Sequence, residues 1–217
     1  RAAARRETEA VGGMKVVILC GGQGTRLREE TEYRPKPMAK VGEHPILWHI
    51  MRHYAHHGFK EFVLCLGYKG EMIKDYFYNF RLHSSDFTVE LGREQRLEFH
   101  SQTEEEGWRV TLADTGPDSL TGARVKRVAR YLDDQPFMLT YGDGVSDVDL
   151  RALVQFHRAH GRLGTVTAVP PLGRFGELRL AAHDVVGFSE KPLVLDRYIN
   201  GGFFVFEPGI LDYLDDA

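Results

Sequence analysis

Near the start of the chain, three glycines and two cations stand close together in Gly21-Gly22-Gln23-Gly24-Thr25-Arg26, followed by Lys36-Pro37. Glycine lacks Cβ and tolerates positive φ, so successive backbone N–H groups can turn toward one anion with no side chain in the way. Arg26 offers a planar fork of donors to phosphate oxygens and Lys36 a compact point charge, a complementary pair for a phosphate-rich nucleotide. The pattern lacks the Gly-Lys-Ser/Thr ending of a Walker A loop and the spacing of the dinucleotide G-x-G-x-x-G, so by itself it is equally a tight connection. Further along, Asp143 in Tyr141-Gly142-Asp143-Gly144 is either a turn residue or a ligand for Mg²⁺. That hard cation takes one or two carboxylates and leaves its other positions to phosphate and water. Lys191, in Glu190-Lys191-Pro192, is a second candidate phosphate cation or a surface lysine. Asp147 and Asp149 suit a helix N-terminus as caps. The ten histidines show no metalloprotease spacing and no G-x-S-x-G elbow is present, so neither zinc-dependent hydrolysis nor a Ser-His-Asp triad is indicated.

The elements that must position these residues follow from hydrophobic periodicity. Val16-Val17-Ile18-Leu19-Cys20 is short, apolar and rich in β-branched residues, so it reads as a buried strand with the glycine loop at its carboxyl end, where open α/β sheets bind ligands. Ile46, Leu47, Ile50, Met51 and Tyr54 form one helical face, with Gly58 beyond its end. Residues 62–66 read as a second buried strand and residues 69–80 as a helix. This β-α-β-α order predicts a parallel sheet with right-handed crossovers. Val89-Glu90-Leu91, Arg96 to Phe99 and Trp108 to Leu112 read as antiparallel excursions. A helix is expected over 121–131, a strand over 137–141 that leaves Asp143 at its carboxyl end, and a helix over 149–160 with Leu150, Leu153, Val154 and His157 inward. A β-rich region to Phe188, a strand over 203–206 and a helix-like stretch from Pro208 complete the pattern.

At 217 residues the chain suits one domain that buries roughly 70% of its unfolded surface without disulfides. A formal charge of −3 leaves no basic footprint, which argues against nucleic-acid binding. Cys20 and Cys65 lie in apolar runs without C-x-x-C spacing, so neither a disulfide framework nor a zinc site is expected, and a reducing, cytoplasmic compartment fits. No apolar run approaches the ~20 residues of a membrane span. Residues 1–13 are charged and lack the apolar core of a signal peptide, so they read as a disordered leader before a domain over 14–217.

Taken together, Gly21 to Leu27 with Pro35-Lys36-Pro37-Met38 resemble the signature of the sugar-1-phosphate nucleotidylyltransferase family. Within it, Asp114-Thr115-Gly116, Ser119-Leu120-Thr121-Gly122-Ala123-Arg124, Tyr141 to Asp147 and Asn200-Gly201-Gly202-Phe203-Phe204 are similar to the branch that uses CTP and glucose 1-phosphate. The resemblance implies an α/β fold, a Rossmann-like mixed, mostly parallel sheet flanked by helices, glycosyltransferase-A-like, with a small antiparallel excursion. It implies formation of CDP-glucose and pyrophosphate with Mg²⁺ as cofactor, for 3,6-dideoxyhexose synthesis in surface polysaccharides, by a homo-oligomer, a hexamer in this family. It also implies roles. Leu19, Cys20, Gly21, Gly22, Gln23, Gly24, Thr25 and Arg26 would wrap the nucleotide, Lys36 would hold its phosphates, Ser119 and Arg124 would contact it, and Gly142 would line the site. Asp143 would bind Mg²⁺, Lys191 would meet the sugar phosphate, and Asn200 and Gly201 would face the sugar; Arg26, Lys36 and Asp143 are the catalytic candidates. A second metal-binding aspartate and a closing helical region are expected beyond residue 217, because Asp212, Asp215 and Asp216 do not match that motif. The domain therefore reads as truncated at its C-terminus. Two alternatives stay open: the same chemistry with UTP or dTTP, and a non-catalytic subunit that binds nucleotide sugars.

Overall fold

The computed structural model describes residues 13–22, 33–92, 94–100, 105–171, 176–190 and 197–216. Gly13 apart, the expected leader lies outside them.

β1 (Lys15–Leu19) runs through the middle of the molecule, with Val16, Val17 and Ile18 wholly buried because both faces of the strand are covered. It pairs in parallel with β4 (Glu61–Leu66) on one side and β8 (Phe137–Tyr141) on the other. β4 pairs in parallel with β7 (Arg109–Asp114) at one edge. Beyond β8 the direction reverses: β12 (Ile199–Phe206) is antiparallel to β8 and to the edge strand β9 (Gly164–Val169). The six-stranded order is β7-β4-β1-β8-β12-β9. Small antiparallel pairs stand outside it: β2 (Lys40–Val41) with β3 (His44–Pro45), β5 (Phe87–Glu90) with β6 (Arg96–Phe99), and β10 (Glu177–Ala181) with β11 (Asp184–Ser189).

Helices cover both faces. On one, α1 (Ile46–His56), α2 (Gly70–Tyr78) and α5 (Leu150–His160) bury Leu47, Ile50, Met51, Tyr54, Ile73, Leu150 and Val154 against Val16, Ile18, Phe62, Leu64 and Met138. On the other, α4 (Thr121–Val128) sets Val125 and Val128 against Val17, Val63, Cys65 and Ala113. A short helix, α3 (Phe80–Ser84), follows α2. The alternation of β1 explains the split, since Val16 and Ile18 point to one layer and Val17 to the other.

Two expectations are corrected. The run Trp108 to Leu112 is no antiparallel excursion: it forms most of β7, a parallel edge strand of the main sheet paired with β4 over Glu61↔Arg109 to Leu66↔Asp114. Its alternating pattern reflects an edge strand that is only partly covered, and periodicity carries no information on partner direction. The helical stretches also tighten. Residues 129–131 and Pro208–Tyr213 are 3₁₀ turns, the former continuing α4. Of the two aspartates expected to cap, Asp149 is the N-cap of α5, its carboxylate accepting from the N–H groups of Arg151 and Ala152.

Candidate active site

The carboxyl ends of β4, β1 and β8 open onto one side of the sheet, and antiparallel β12 begins on that same side. Hydrogen bonding extends past the strands into the loops: Cys20 N–H donates to Cys65 O at 3.0 Å, Gly142 N–H to Leu19 O at 3.0 Å and Thr115 N–H to Leu66 O at 2.9 Å. These bonds hold the first loop residues in sheet-like register. Above them lies a cleft of about 290 Å³ lined by Leu19, Cys20, Gly21, Gly22, Lys36, Pro37, Ser119, Leu120, Thr121, Arg124, Tyr141 and Asp143.

The cleft carries one ion pair among the described residues. Lys36 opens a 3₁₀ turn (Lys36–Met38) closed by Met38 N–H to Pro35 O at 2.8 Å, and its Nζ lies 3.7 Å from Asp143 Oδ2. Asp143 stands two residues beyond β8 and is the one carboxylate among the described lining residues. Gly142 lets these segments meet. A Cβ there would fall 2.8 Å from Leu19 O and 2.9 Å from Pro37 Cγ, so any other residue would push the Lys36 turn off the strand ends. No cluster of three metal-ligating side chains occurs among the described residues. A lone carboxylate open to a cleft fits Mg²⁺, whose remaining positions a triphosphate and water can fill.

Arg124 has a different task. Its buried guanidinium donates from Nη1 to Leu66 O, Thr115 Oγ1 and Gly116 O, and from Nη2 to Gly21 O and Pro117 O, all at 2.7–3.1 Å. One side chain on α4 thus ties the loops after β1, β4 and β7 together. Burial pushes its pKa below the ordinary value, and the nearby Cys65, Asp114 and Asp118 oppose that shift. A Cβ on Gly21 would overlap it at 2.1 Å from Nη1, so glycine at that position makes room for the guanidinium. Arg127, one turn on, donates to Thr115 O and to Ser119 Oγ, and Ser119 in turn donates to Thr115 O at 2.6 Å. Burial also raises the thiols beneath the cleft: Cys20 well above its ordinary value, and Cys65 to about 12. Both are free and protonated at neutral pH, which suits a floor rather than a nucleophile.

Leu19, Cys20, Gly21, Gly22, Lys36, Ser119, Arg124 and Asp143 therefore meet around one cleft, with Gly142 packed beneath. Asn200 reaches its rim through a hydrogen bond from Nδ2 to Tyr141 Oη at 3.1 Å. Gly201 lies against β9, where a Cβ would meet Val169 Cγ1 at 3.0 Å. Gln23, Gly24, Thr25, Arg26 and Lys191 fall outside the described residues. Tyr141, Pro37, Leu120 and Thr121 also line the cleft, and nothing in their spacing in the sequence marks them as facing a ligand.

Comparison with known proteins places this geometry among relatives. The family model described as "Nucleotidyl transferase" matches residues 15–217. A glucose-1-phosphate cytidylyltransferase of Salmonella typhimurium is 53% identical over 94% of this chain and 79% of its own length. Among solved structures, HddC from Yersinia pseudotuberculosis superposes with a TM-score of 0.63 at 22% identity, over 94% of this chain and 81% of that one. A UDP-glucose pyrophosphorylase complexed with UDP-glucose gives 0.61 at 14% identity, over 92% and 78%. These last two share the fold.

Proposed function

This chain belongs to the nucleotidyl transferase family, and we propose that it transfers CMP from CTP to α-D-glucose 1-phosphate, releasing pyrophosphate and CDP-glucose. The observation that carries the mechanistic reading is the Lys36–Asp143 pair in a cleft laid out by strand order. From β7 to β12 the strand ends span four inter-strand gaps, ~19 Å at the usual spacing. The 119–124 segment follows β7 and brings Ser119, Thr121 and the buried Arg124, the glycines follow β1, Lys36 and Asp143 form their pair, and Tyr141 at the end of β8 bonds Asn200 of β12. Base, phosphates and sugar fit that sequence of environments in order.

The reaction needs no protein nucleophile. A phosphate oxygen of glucose 1-phosphate attacks the α-phosphorus of CTP in line, the bond to the bridging oxygen breaks, and pyrophosphate leaves with the electron pair. Two anions must be brought together, so charge neutralisation and alignment dominate the barrier. Lys36 places its ammonium beside the reacting phosphates. Gly22, with open space where a Cβ would stand, lets backbone approach the nucleotide, and Arg124 and Arg127 hold the 115–119 turn as a fixed wall for the base. Mg²⁺, held by Asp143 jointly with the triphosphate, would supply further neutralisation of phosphate charge. Buried, protonated Cys20 and Cys65 and the absence of a nucleophile–base pair in the cleft among the described residues agree with direct transfer. The test is chromatography of a CTP, glucose 1-phosphate and Mg²⁺ reaction. Stoichiometric CDP-glucose and pyrophosphate are expected, and nucleotide binding with no product would overturn the reading.

A further inference from the structure

Tyr141 ends β8 with its side chain at the rim of the cleft, where its ring makes an edge contact with Phe204 at 6.1 Å between centroids. What its hydroxyl does is decided one strand away. The pairing of β12 with β9 shifts register between Asn200 and Phe204, and the bulge there takes Gly202 to φ +78° and Phe203 to φ +42°. A non-glycine residue at positive φ is rare and persists only where surroundings impose it. Here Phe203 is buried and stacks on Tyr54 at 5.8 Å.

The bulge fixes the amide of Asn200. Gly202 N–H donates to Asn200 Oδ1 at 2.8 Å, which settles which end of the amide is oxygen, since a backbone N–H needs an acceptor. Asn200 Nδ2 therefore donates to Tyr141 Oη at 3.1 Å. A phenol oxygen that accepts there must point its own hydrogen elsewhere, and no hydrogen bond donated by that O–H occurs among the described residues. Tyr141 lines the cleft together with Asp143, so its O–H is available to a ligand bound there.

We propose that Tyr141 is a specificity-determining residue whose hydroxyl, held by Asn200, donates a hydrogen bond to an oxygen of the sugar ring or one of its hydroxyls in glucose 1-phosphate. This rests on the function proposed above. A neutral donor on an aromatic platform suits a sugar oxygen, whereas the phosphates have Lys36. The position agrees, since Tyr141 lines the cleft at the end of β8, the strand next to β12, and bonds there to Asn200 of β12.

The experiment is steady-state kinetics of Tyr141→Phe and Asn200→Asp with both substrates varied, using glucose 1-phosphate and its single-deoxy analogues. Asn200→Asp keeps the acceptor for Gly202 N–H but offers Tyr141 a carboxylate, which draws the phenol hydrogen away from the cleft. Both variants are expected to raise KM for glucose 1-phosphate ~10-fold, the size of one lost hydrogen bond, with KM for CTP within about twofold. The Tyr141→Phe penalty is expected to vanish with the one analogue that lacks the accepting oxygen. Unchanged KM for the sugar phosphate, a penalty that falls on CTP instead, or one that persists with every analogue would overturn the proposal while the parent reaction stands. Wild-type protein that makes no CDP-glucose would overturn the parent reading, and this inference with it.

Discussion

Lys36 and Asp143 are far apart in sequence, and their ion pair is half-open to water. Exposed pairs of this kind contribute only ~0–1 kcal/mol to folding, so stability does not explain the arrangement. Lys36→Ala is therefore expected to lower turnover at least tenfold while the melting temperature moves by about 2 °C or less. A near-normal rate would reduce Lys36 to a turn residue. Asp143→Asn keeps shape and removes charge, and should shift the Mg²⁺ concentration for half-maximal rate upward; an unchanged metal titration would strip Asp143 of its ligand role. Asp143 was legible from type and position, because an aspartate just after a strand pattern stands at that strand's carboxyl end, whereas Lys36 opens a 3₁₀ turn and was legible from its charge and its nearness to the glycines. Arg124 was legible only as a site residue. Its engagement with backbone oxygens of four loop and strand residues is a three-dimensional fact, since those oxygens come from separate turns and no spacing in the sequence announces them.

The elements matter because they deliver loop backbones in register. Arg124→Met would remove five hydrogen bonds and take from Gly116 O and Pro117 O the donor that Arg124 gives them, and a loss of about 3 kcal/mol is expected, read as a fall in melting temperature of roughly 6–12 °C. KM for CTP should rise with it, and a variant as stable as wild type would contradict the clamp. Helix α1 contributes a pH dependence. His53 is held below its ordinary value of 6.5, first by burial and then by neighbouring His56, while its bond with Val148 O and the charge of Asp147 pull the other way. His57 is lowered by burial and by His53, with Asp149 opposing. A histidine with a depressed folded pKa binds fewer protons folded than unfolded, so its contribution to stability is present above about pH 6.5 and is lost as pH falls through the lower folded value. The melting temperature should drop between about pH 7.5 and about pH 5.5, and His53→Gln should flatten that drop. Equal slopes in the two proteins would show that His53 does not contribute.

At the scale of the whole molecule, the periodicity of buried strands and amphipathic helices was enough to expect a parallel sheet with right-handed crossovers, and the mixed sheet flanked by helices was expected from the family resemblance. Strands such as β1 and β4 announce themselves by continuous apolar runs. β7 did not, because an edge strand alternates like a hairpin strand and only its partner reveals its direction. No helix among the described residues is long and apolar enough to cross a membrane. The order β7-β4-β1-β8-β12 brings the loops that line the cleft side by side along one edge, and no local pattern could supply that order. On the function proposed above, nucleotide choice would be made at the 115–124 wall braced by Arg124 and Arg127 rather than at the Lys36–Asp143 pair, which any triphosphate would satisfy. The most direct test of the account is to compare CTP, UTP, dTTP, ATP and GTP as substrates with glucose 1-phosphate and Mg²⁺, following pyrophosphate release. The account predicts the highest kcat/KM with CTP, and a higher value with UTP or dTTP would contradict it.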